Sequence, residues 1–453
     1  MRTAVIVTLL SLTRLAPADP RAIEIEDAMA RAGAQHPIAR ERQADIEAAQ
    51  ARSDVEHARY APDVEVFAQL DRTTTNTSTG VLFPEPGIPV VSGAPGRAFD
   101  AGVWGSAVGA TASWDVLGFR KWDAQIAVAE RELRVARDDA ELTKLDLAFR
   151  AGDRFIFVTE HGEAIKAARA GVERAKVFLG VVKAAVDQNL RPGADLSRAL
   201  AELSLAETAL IREESAGQVS LADFAEAYGG KGDAPVPAPG KLLATVPAVD
   251  PKVQPAHGDP RVHAAEREIE VAEARKEAVE TGTQPRLALV GGVWARGGND
   301  PGGVGAAGLV PDVPNWTAAV VVTWPLLAST LVAPQTRAEE ARIARARAHV
   351  DEIVQHEDTQ ATRAAALLDA AARVAHKTPD TLKAARDAEQ QSVARYQAKL
   401  ATADDVAQAQ RLLEQAEIDD AVARLEVWRA LLGYAYVRGD LSLFTTAYAK
   451  AVP

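Results

Sequence analysis

Two hydrophobic periods alternate along this chain, and together they predict long helices and short strands in a recurring order. In residues 122–189 and 336–376, Ala and other apolar residues recur every three or four positions among Glu, Arg, Asp and Lys, and neither run contains proline. This spacing indicates amphipathic helices. A helix of roughly seventy residues would be about 100 Å long at ~1.5 Å per residue. Helical patterns of that length are typical of coiled coils and helical repeats.

Two other segments have a period of two. In residues 103–114 the even positions are mostly apolar, with Trp104 and Trp114 at the ends, and residues 315–324 repeat the pattern with Trp316 and Trp324. Such alternation predicts half-buried strands. About ten residues tilted by ~45° rise about 23 Å, close to the apolar band of an outer-membrane barrel. The alternative is a soluble sheet that packs on the helices with the tryptophans in its core.

The segments between the paired strands favour the membrane interpretation. Residues 73–101 and 297–314 are long and rich in turn-forming residues, and each lies at the tip of a predicted hairpin. Long loops at such tips are typical of the extracellular side of membrane barrels. Residues 303–308 spell Gly-x-Gly-x-x-Gly, but prolines and a strand follow where a dinucleotide site needs a helix. We therefore predict a flexible extracellular loop there, with no bound cofactor.

The chain also repeats itself. Residues 113–117 match 323–327, and residues 189–196 match 399–406, both at an offset of 210 positions. Prolines 25 residues apart lead into the first strand of each copy: Pro37 with Pro62, and Pro260 with Pro285. These matches predict a tandem duplication of one unit, in the order helix, strand, loop, strand, long helix, turn and helix.

The duplication predicts the domain organisation. We expect a signal peptide over 1–18, a first repeat over 19–230, a Pro/Gly-rich linker over 231–255, a second repeat over 256–440 and a C-terminal tail over 441–453. The four strands are expected at about 63–72, 103–114, 286–296 and 315–324, and the long helices of the first repeat are expected to end at about 228. The alternative to a signal peptide is the apolar start of a cytosolic protein.

Composition excludes several functional classes. The 453 residues carry 51 Lys and Arg against 63 Asp and Glu, a formal charge of -12, and nucleic-acid binding depends on the opposite balance. The chain has no Cys, so disulfides, thiolate metal sites and cysteine nucleophiles are absent. About a fifth of the residues are Ala, which favours helices that approach one another closely.

Taken together, these features resemble the TolC-like outer-membrane efflux channels over essentially the whole mature chain. The resemblance rests on the duplicated layout, the prolines before the first strands, the exits Trp-Asp-Val-Leu at 114–117 and Trp-Pro-Leu-Leu at 324–327, and two Leu-x4-Asp-hydrophobic turns. It implies a mainly helical homotrimer whose protomers each give four strands to one twelve-stranded membrane β-barrel. Long coiled-coil helices would form a periplasmic tube that contacts a periplasmic adaptor (a membrane fusion protein) and an inner-membrane pump.

The resemblance also implies roles for single residues. Asp405 corresponds to the carboxylate that constricts the closed periplasmic tip, and Gln408 takes the position of a second acid. Tyr396 corresponds to a residue that latches neighbouring helices, with Asp195 as its partner, whereas the family's latching arginine is replaced by Ala401. An alternative role for Asp405 is a helix-dipole carboxylate, and the two roles are compatible.

Two further groups of residues are implied by the same resemblance. The adaptor-docking tips are Asn189, Leu190, Arg191, Pro192 and Gly193 in the first repeat, and Lys399, Leu400, Ala401 and Thr402 in the second. The membrane-interface aromatics are Trp104, Trp114, Trp316 and Trp324. The family favours Gly where this chain has Asn189 and Lys399, and of these two Asn tolerates a left-handed backbone much better than Lys.

No pattern in the chain indicates catalysis. His349 and His356 lie on one face of a predicted helix without the carboxylates of a metal site, and the Gly-x-Ser-x-Gly sequence of a serine hydrolase is missing. We therefore expect a passive, non-enzymatic outer-membrane channel of a tripartite efflux or type I export system, with no metal and no cofactor. The alternative is a periplasmic or surface coiled-coil scaffold.

Overall fold

The computed structural model describes residues 22–73, 103–230, 235–247, 259–297 and 308–451. The predicted signal peptide and most of both predicted hairpin loops lie outside these ranges, as does the Gly-x-Gly-x-x-Gly segment except Gly308. The chain divides into two compact units. The first unit comprises Met1–Ile46, Ala136–Ala265 and His349–Pro453, and the second comprises Glu47–Val135 and Glu266–Ala348.

Helices account for most of the described chain. In order they are α1 (Ile25–Gln35), α2 (Pro37–Ala58), α3 (Phe119–Asp187), α4 (Gly193–Ala227), α5 (Pro260–Glu280), α6 (Ser329–Gln397), α7 (Ala403–Val437) and α8 (Ser442–Lys450). No described helix has both the length and the apolar composition that crossing a bilayer requires.

Equal helix lengths confirm the duplicated unit. Helices α3 and α6 both contain 69 residues, and α4 and α7 both contain 35. Each of the four boundaries in the first copy recurs 210 positions later in the second, the offset that the sequence matches predict. Strand pairs precede α3 and α6, so the predicted helix, strand, strand, helix order is present twice.

The four strands form one antiparallel sheet. They are β1 (Asp63–Thr73), β2 (Val103–Asp115), β3 (Arg286–Gly297) and β4 (Pro311–Thr323), in the spatial order β1-β2-β3-β4. The two hairpins, β1-β2 and β3-β4, are joined by the pairing of β2 with β3. The sheet therefore unites both repeats, and β1 and β4 form its two edges among the described strands.

Four prolines lie where the sequence predicts no regular structure. Strand β4 begins at Pro311 and includes Pro314, whereas we expected it to start at about 315. A proline cannot donate to a sheet ladder, but an edge strand has a side on which that donor is not needed. Helix α6 also runs through Pro334 and Pro379, beyond the predicted 336–376. Buried Leu368 and Ala385, on either side of Pro379, show that packing stabilises the helix across it.

The main hydrophobic core lies in the first unit. Its largest fully buried side chains include Phe155 of α3, Phe224 of α4 and Trp428 of α7. The segment that we assigned as a C-terminal tail contains α8, whose Phe444 and Tyr448 pack against Trp428 with ring centroids 5.8 and 5.9 Å away. The assigned linker also contributes, because Leu242 is fully buried and the Trp428 indole donates to the Thr245 carbonyl at 2.9 Å.

Candidate functional site

One face of the sheet is almost continuously apolar. Residues directly opposite in the register share a face, so the strand pairings assign every side chain. The apolar face consists of Val64, Val66, Ala68, Leu70, Trp104, Val108, Ala110, Ala112, Trp114, Leu287, Leu289, Gly291, Val293, Ala295, Pro314, Trp316, Ala318, Val320 and Val322, with Ser106 and Arg72 as its polar members. Several of these side chains are largely exposed in the protomer, Val66 at 82%.

The opposite face is polar. Among small and apolar residues it carries Asp63, Glu65, Gln69, Thr111, Ser113, Asp115, Arg286, Arg296, Asn315, Thr317 and Thr323. Arg286 and Asp115 form an ion pair across β3 and β2, with 3.2 Å between Nε and Oδ2. A sheet with one exposed apolar face and one polar face is what a wall between lipid and water requires.

Three of the four predicted interface tryptophans, Trp104, Trp114 and Trp316, lie on the apolar face of the sheet, but they differ in position along it. Trp104 lies at the loop end of β2, with the Arg72 guanidinium 5.6 Å from its ring centroid. Trp114 lies at the helix end, where its indole donates to the Tyr60 carbonyl at 3.0 Å. Trp316 is not at a strand end, because β4 starts at Pro311 and places Trp316 opposite Val293.

Trp316 and Trp324 are 77% and 64% exposed, and Trp324 follows the last residue of β4. Trp316 and Trp324 therefore do not belong to the core of a soluble sheet packed on the helices. An apolar face of this extent on an isolated protomer indicates a surface that is covered by another phase or another chain.

The two predicted tips have the same backbone construction. Asn189 has φ 58° and Lys399 has φ 65°, both in the left-handed region. The amide of Leu190 donates to the Ala185 carbonyl and that of Asn189 to the Val186 carbonyl, each at 2.9 Å. This is the Schellman ending of a helix. Leu400 and Lys399 make the equivalent bonds at the end of α6, at 2.8 and 3.0 Å, so Lys399 adopts the conformation for which Lys is poorly suited.

A tyrosine from the second repeat is buried in the first. Tyr396 is 2% exposed, and its hydroxyl donates to Asp195 Oδ2 at 3.4 Å. Phe178 of α3 packs edge-on against its ring at 5.1 Å. Burial, and secondarily the Asp195 charge, raises the pKa of the Tyr396 phenol, so the group stays a neutral donor at physiological pH.

Arg191 also contacts Tyr396. Its Nη2 donates to the Tyr396 carbonyl at 2.9 Å and to the Ala401 carbonyl at 3.0 Å, and its Cζ lies 4.4 Å from the Tyr396 ring centroid. The sequence places Arg191 among the docking residues and gives no signal for these contacts. Their acceptors are backbone carbonyls more than 200 positions away.

Asp405 helps to cap the N-terminus of α7. Its Oδ2 accepts from the Thr402 amide at 2.7 Å and from the Thr402 hydroxyl at 2.8 Å, while its own amide donates to that hydroxyl at 3.2 Å. This reciprocal arrangement is a capping box. The hydrogen bonds from the Thr402 backbone and then its hydroxyl lower the pKa of the exposed Asp405 carboxyl, which therefore stays ionised at physiological pH.

Gln408 does not pair with Asp405. Its amide donates to Asp404 Oδ2 at 2.7 Å, although both Gln408 and Asp405 are exposed as the helical spacing predicts. Asp404 is also paired with Arg198 of α4, with 2.6 Å between Oδ1 and Nη2. A second ion pair links Arg411 of α7 to Glu202 of α4, with 2.9 Å between Nη1 and Oε2. The sequence does not reveal this network, because it joins the two repeats.

The remaining docking residues lie at the surface of the tips. Leu190 and Leu400 are 50% and 70% exposed. Pro192, Gly193 and Thr402 are also exposed, and Ala401 is half-buried. An apolar residue therefore projects at the same point of each turn.

Comparison with solved structures shows the same architecture in outer-membrane channels. CusC, whose structures report transmembrane channel formation, is 13% identical with a TM-score of 0.74, over 97% of this chain and 98% of CusC. The Campylobacter jejuni CmeC outer membrane channel is 11% identical with a TM-score of 0.74, over 95% of this chain and 90% of CmeC. The outer-membrane channel OprN is 18% identical with a TM-score of 0.70, over 92% and 89%.

The protein has the TolC-like fold. The resemblance inferred from the duplicated motifs is thereby confirmed at the level of the fold, over more than nine-tenths of the chain. No family model and no curated protein matches the sequence. At sequence identities this low, the internal repeats and the turn motifs indicate the shared fold, whereas overall sequence similarity does not.

The TolC-like chain also contains a buried acid that the sequence did not single out. Glu160 of α3 is 8% exposed, and its Oε1 has no hydrogen-bond partner in the described part of the chain. Burial, followed by the Glu426 charge, raises its pKa to about 7, against an opposing effect of Arg429. Arg429 is itself bound to Asp153, with 2.7 Å between Nε and Oδ1.

In the described ranges, no group of three or more His, Cys, Asp or Glu residues could hold a metal ion. His349 lies 3.3 Å from Glu352 on the same helix, and His356 contacts Gln360. Both histidines are therefore accounted for by contacts along the surface of α6.

Proposed function

We propose that the protein is the outer-membrane channel of an export system, which conducts substrate passively across the periplasm and the outer membrane. The observation that supports this proposal most directly is the sheet. It has an almost continuous exposed apolar face, a polar opposite face and two unpaired edges among the described strands. Related architectures in outer-membrane channels support the proposal.

The sheet edges argue for assembly. An edge strand in lipid would leave backbone amides and carbonyls without partners, at a cost of several kcal/mol for each group. Four strands are too few to close a barrel, so edges must pair between copies. A homotrimer with twelve strands removes every edge, keeps the apolar face toward outer-membrane lipid and encloses the polar face around the conduit.

The rest of each protomer serves transport and catalyses no reaction. The long helices form a periplasmic duct, and the two turns dock a periplasmic adaptor through the exposed Leu190 and Leu400 side chains. An inner-membrane pump supplies the energy. The ionised Asp405 carboxylate of each copy contributes to a negatively charged ring at the periplasmic mouth, where it favours cations.

Purification and conductance test the proposal directly. We expect the protein to need detergent for extraction, to migrate as a trimer in chemical cross-linking, and to produce stepwise conductance in planar bilayers. A protein released by osmotic shock as a soluble monomer would instead be the periplasmic scaffold, and the channel proposal would be wrong.

Docking is tested separately. A photo-reactive amino acid at position 190 or 400 should cross-link to a periplasmic protein in cells, because both side chains project from the tips. The same amino acid at Leu205, exposed farther along α4, is the matched control. Equal cross-linking at 205 would argue against the tips as the docking site.

A further inference from the structure

Arg191 joins the two helix-turn-helix tips of one chain. It belongs to the turn between α3 and α4, and its two hydrogen bonds reach both sides of the turn between α6 and α7. One acceptor, the Tyr396 carbonyl, belongs to the last turn of α6. The other, the Ala401 carbonyl, directly precedes the N-cap of α7. A single guanidinium therefore spans the second turn.

The chemistry of these acceptors suits an arginine. The Tyr396 carbonyl already accepts the Lys399 amide at 3.0 Å, so Arg191 occupies its second acceptor site. The carbonyl end of a helix is negative and stabilises a nearby cation. The planar guanidinium also covers the Tyr396 ring at 4.4 Å while donating to both carbonyls. A lysine ammonium, as a compact point charge without a planar face, cannot stack on the ring while it donates to both carbonyls.

Three side chains of the first repeat contact Tyr396. The Arg191 guanidinium and the Phe178 ring pack against its ring, and its hydroxyl donates to Asp195. All three partners come from the first repeat. Loss of Arg191 therefore releases the second turn and uncovers one face of an otherwise buried ring.

The duplication gives this arrangement only once. At the offset of 210 positions, Arg191 corresponds to Ala401 and Tyr396 corresponds to Val186. Ala401 has no side chain that could donate, and Val186 has no ring on which a cation could stack, so the mirror-related contact from the second turn to the first does not exist.

We propose that Arg191 is a one-sided clamp, a positioning residue that fixes the second tip of each chain onto the first and so keeps the periplasmic mouth closed. The clamping of the tips stands on the contacts of a single chain, whereas the effect on the mouth rests on the proposed channel function. The clamp takes Arg191 away from adaptor docking, where the sequence placed it, and leaves the exposed leucines for that role.

Hydrogen exchange of the purified full-length protein tests the clamp independently of conduction. We expect Arg191→Met to accelerate exchange of the Lys399 and Leu400 amides about tenfold, since the second turn loses two hydrogen bonds and a stacked ring. The Asn189 and Leu190 amides should change less. Arg191→Lys, which keeps the charge and preserves folding, should also accelerate exchange at Lys399 and Leu400. Arg212→Met, at an exposed position on α4, is the matched control and should change neither turn.

Single-channel recording tests the consequence. Arg191→Met should raise conductance in planar bilayers, whereas Arg212→Met should not. Unchanged exchange at Lys399 and Leu400 would overturn the proposal, and so would accelerated exchange with unchanged conductance. If the wild-type protein produced no conductance in bilayers, the proposed channel function would be wrong instead. The exchange measurement would still decide whether Arg191 clamps the tips.

Discussion

Asn189 and Lys399 are 210 residues apart in sequence and share one left-handed backbone conformation, with φ of 58° and 65°. Each ends a 69-residue helix through the same pair of Schellman hydrogen bonds. A left-handed backbone costs roughly 1–2 kcal/mol for most side chains, while Asn and Gly tolerate it. The two turns thus share a shape, but the second holds it with a less suitable residue.

Lys399→Gly should therefore stabilise the protein. Relief of the left-handed strain outweighs the entropy that Gly loses on folding, and we expect a gain of about 0.5–1 kcal/mol. Asn189→Gly is the matched control at the equivalent turn and should change stability less. Thermal unfolding of both variants measures the difference, and an equal effect at the two sites would show that strain at Lys399 is not the cause.

Adjacent alanines on β4 test the assignment of the sheet faces. Ala318 and Ala319 are both exposed in the protomer, but Ala318 belongs to the apolar face and Ala319 to the polar face. In a membrane, Ala318→Lys should cost about 2–4 kcal/mol near the bilayer midplane, whereas a lysine facing the water-filled interior is tolerated.

Urea unfolding in lipid vesicles compares the two lysine variants. We expect Ala319→Lys to fold and insert like the wild type and Ala318→Lys to unfold at lower urea. If both variants unfolded at the same urea concentration, both faces of the sheet would be in contact with water, as in a soluble sheet.

The Asp405 side chain both caps the N-terminus of α7 and carries a negative charge, and two substitutions at this position separate the two roles. Asp405→Asn removes the charge with little change of shape and should reduce block of the channel by multivalent cations, because a carboxylate ring attracts them. Asp405→Ala also removes the cap and should in addition raise single-channel conductance. Thr402→Ala breaks the capping box at a cost of about 1 kcal/mol but keeps the carboxylate.

Bilayer recordings with a multivalent blocker discriminate the three variants. Block should weaken for both Asp405 variants and persist for Thr402→Ala. Unchanged block in both Asp405 variants would remove this residue from the periplasmic mouth and leave it as a helix cap alone.

Glu160 makes stability depend on pH. Its folded pKa of about 7 is higher than the ordinary glutamate value of 4.5, so between these values the native state holds a proton that the unfolded state has lost. Stability from this group is therefore greatest in acid and falls as pH rises toward 7. A shift of this size corresponds to roughly 3–4 kcal/mol at 1.36 kcal/mol per pKa unit.

Glu160→Gln should raise the melting temperature at pH 8, where it removes a buried charge, and change it little at pH 5. Glu173→Gln, on an exposed part of the same helix and paired with Lys176, is the control and should have a small effect at both pH values. A Glu160→Gln shift of equal size at pH 5 and pH 8 would contradict the raised pKa.

Much of the fold follows from local patterns. The three-to-four spacing of apolar residues predicts α3 over 122–189, close to the observed Phe119–Asp187, and the alternation at 103–114 predicts β2. Repeat matches supply the offset that relates the helices. Prolines mislead the same reasoning at Pro314 and Pro379, because their cost depends on which side of a strand is unpaired and on how a long helix is packed.

The sequence by itself determined the duplicated order of elements, the approximate extent of α3, the apolar strand face and the two turns, because each depends on residues close together in the chain. The tertiary structure alone decided that Arg191 reaches Tyr396 and Ala401, that Asp404 pairs with Arg198, that α8 belongs to the core, and that Glu160 is buried. These contacts join segments far apart in sequence, and periodicity carries no information about which distant side chain a guanidinium or carboxylate will meet.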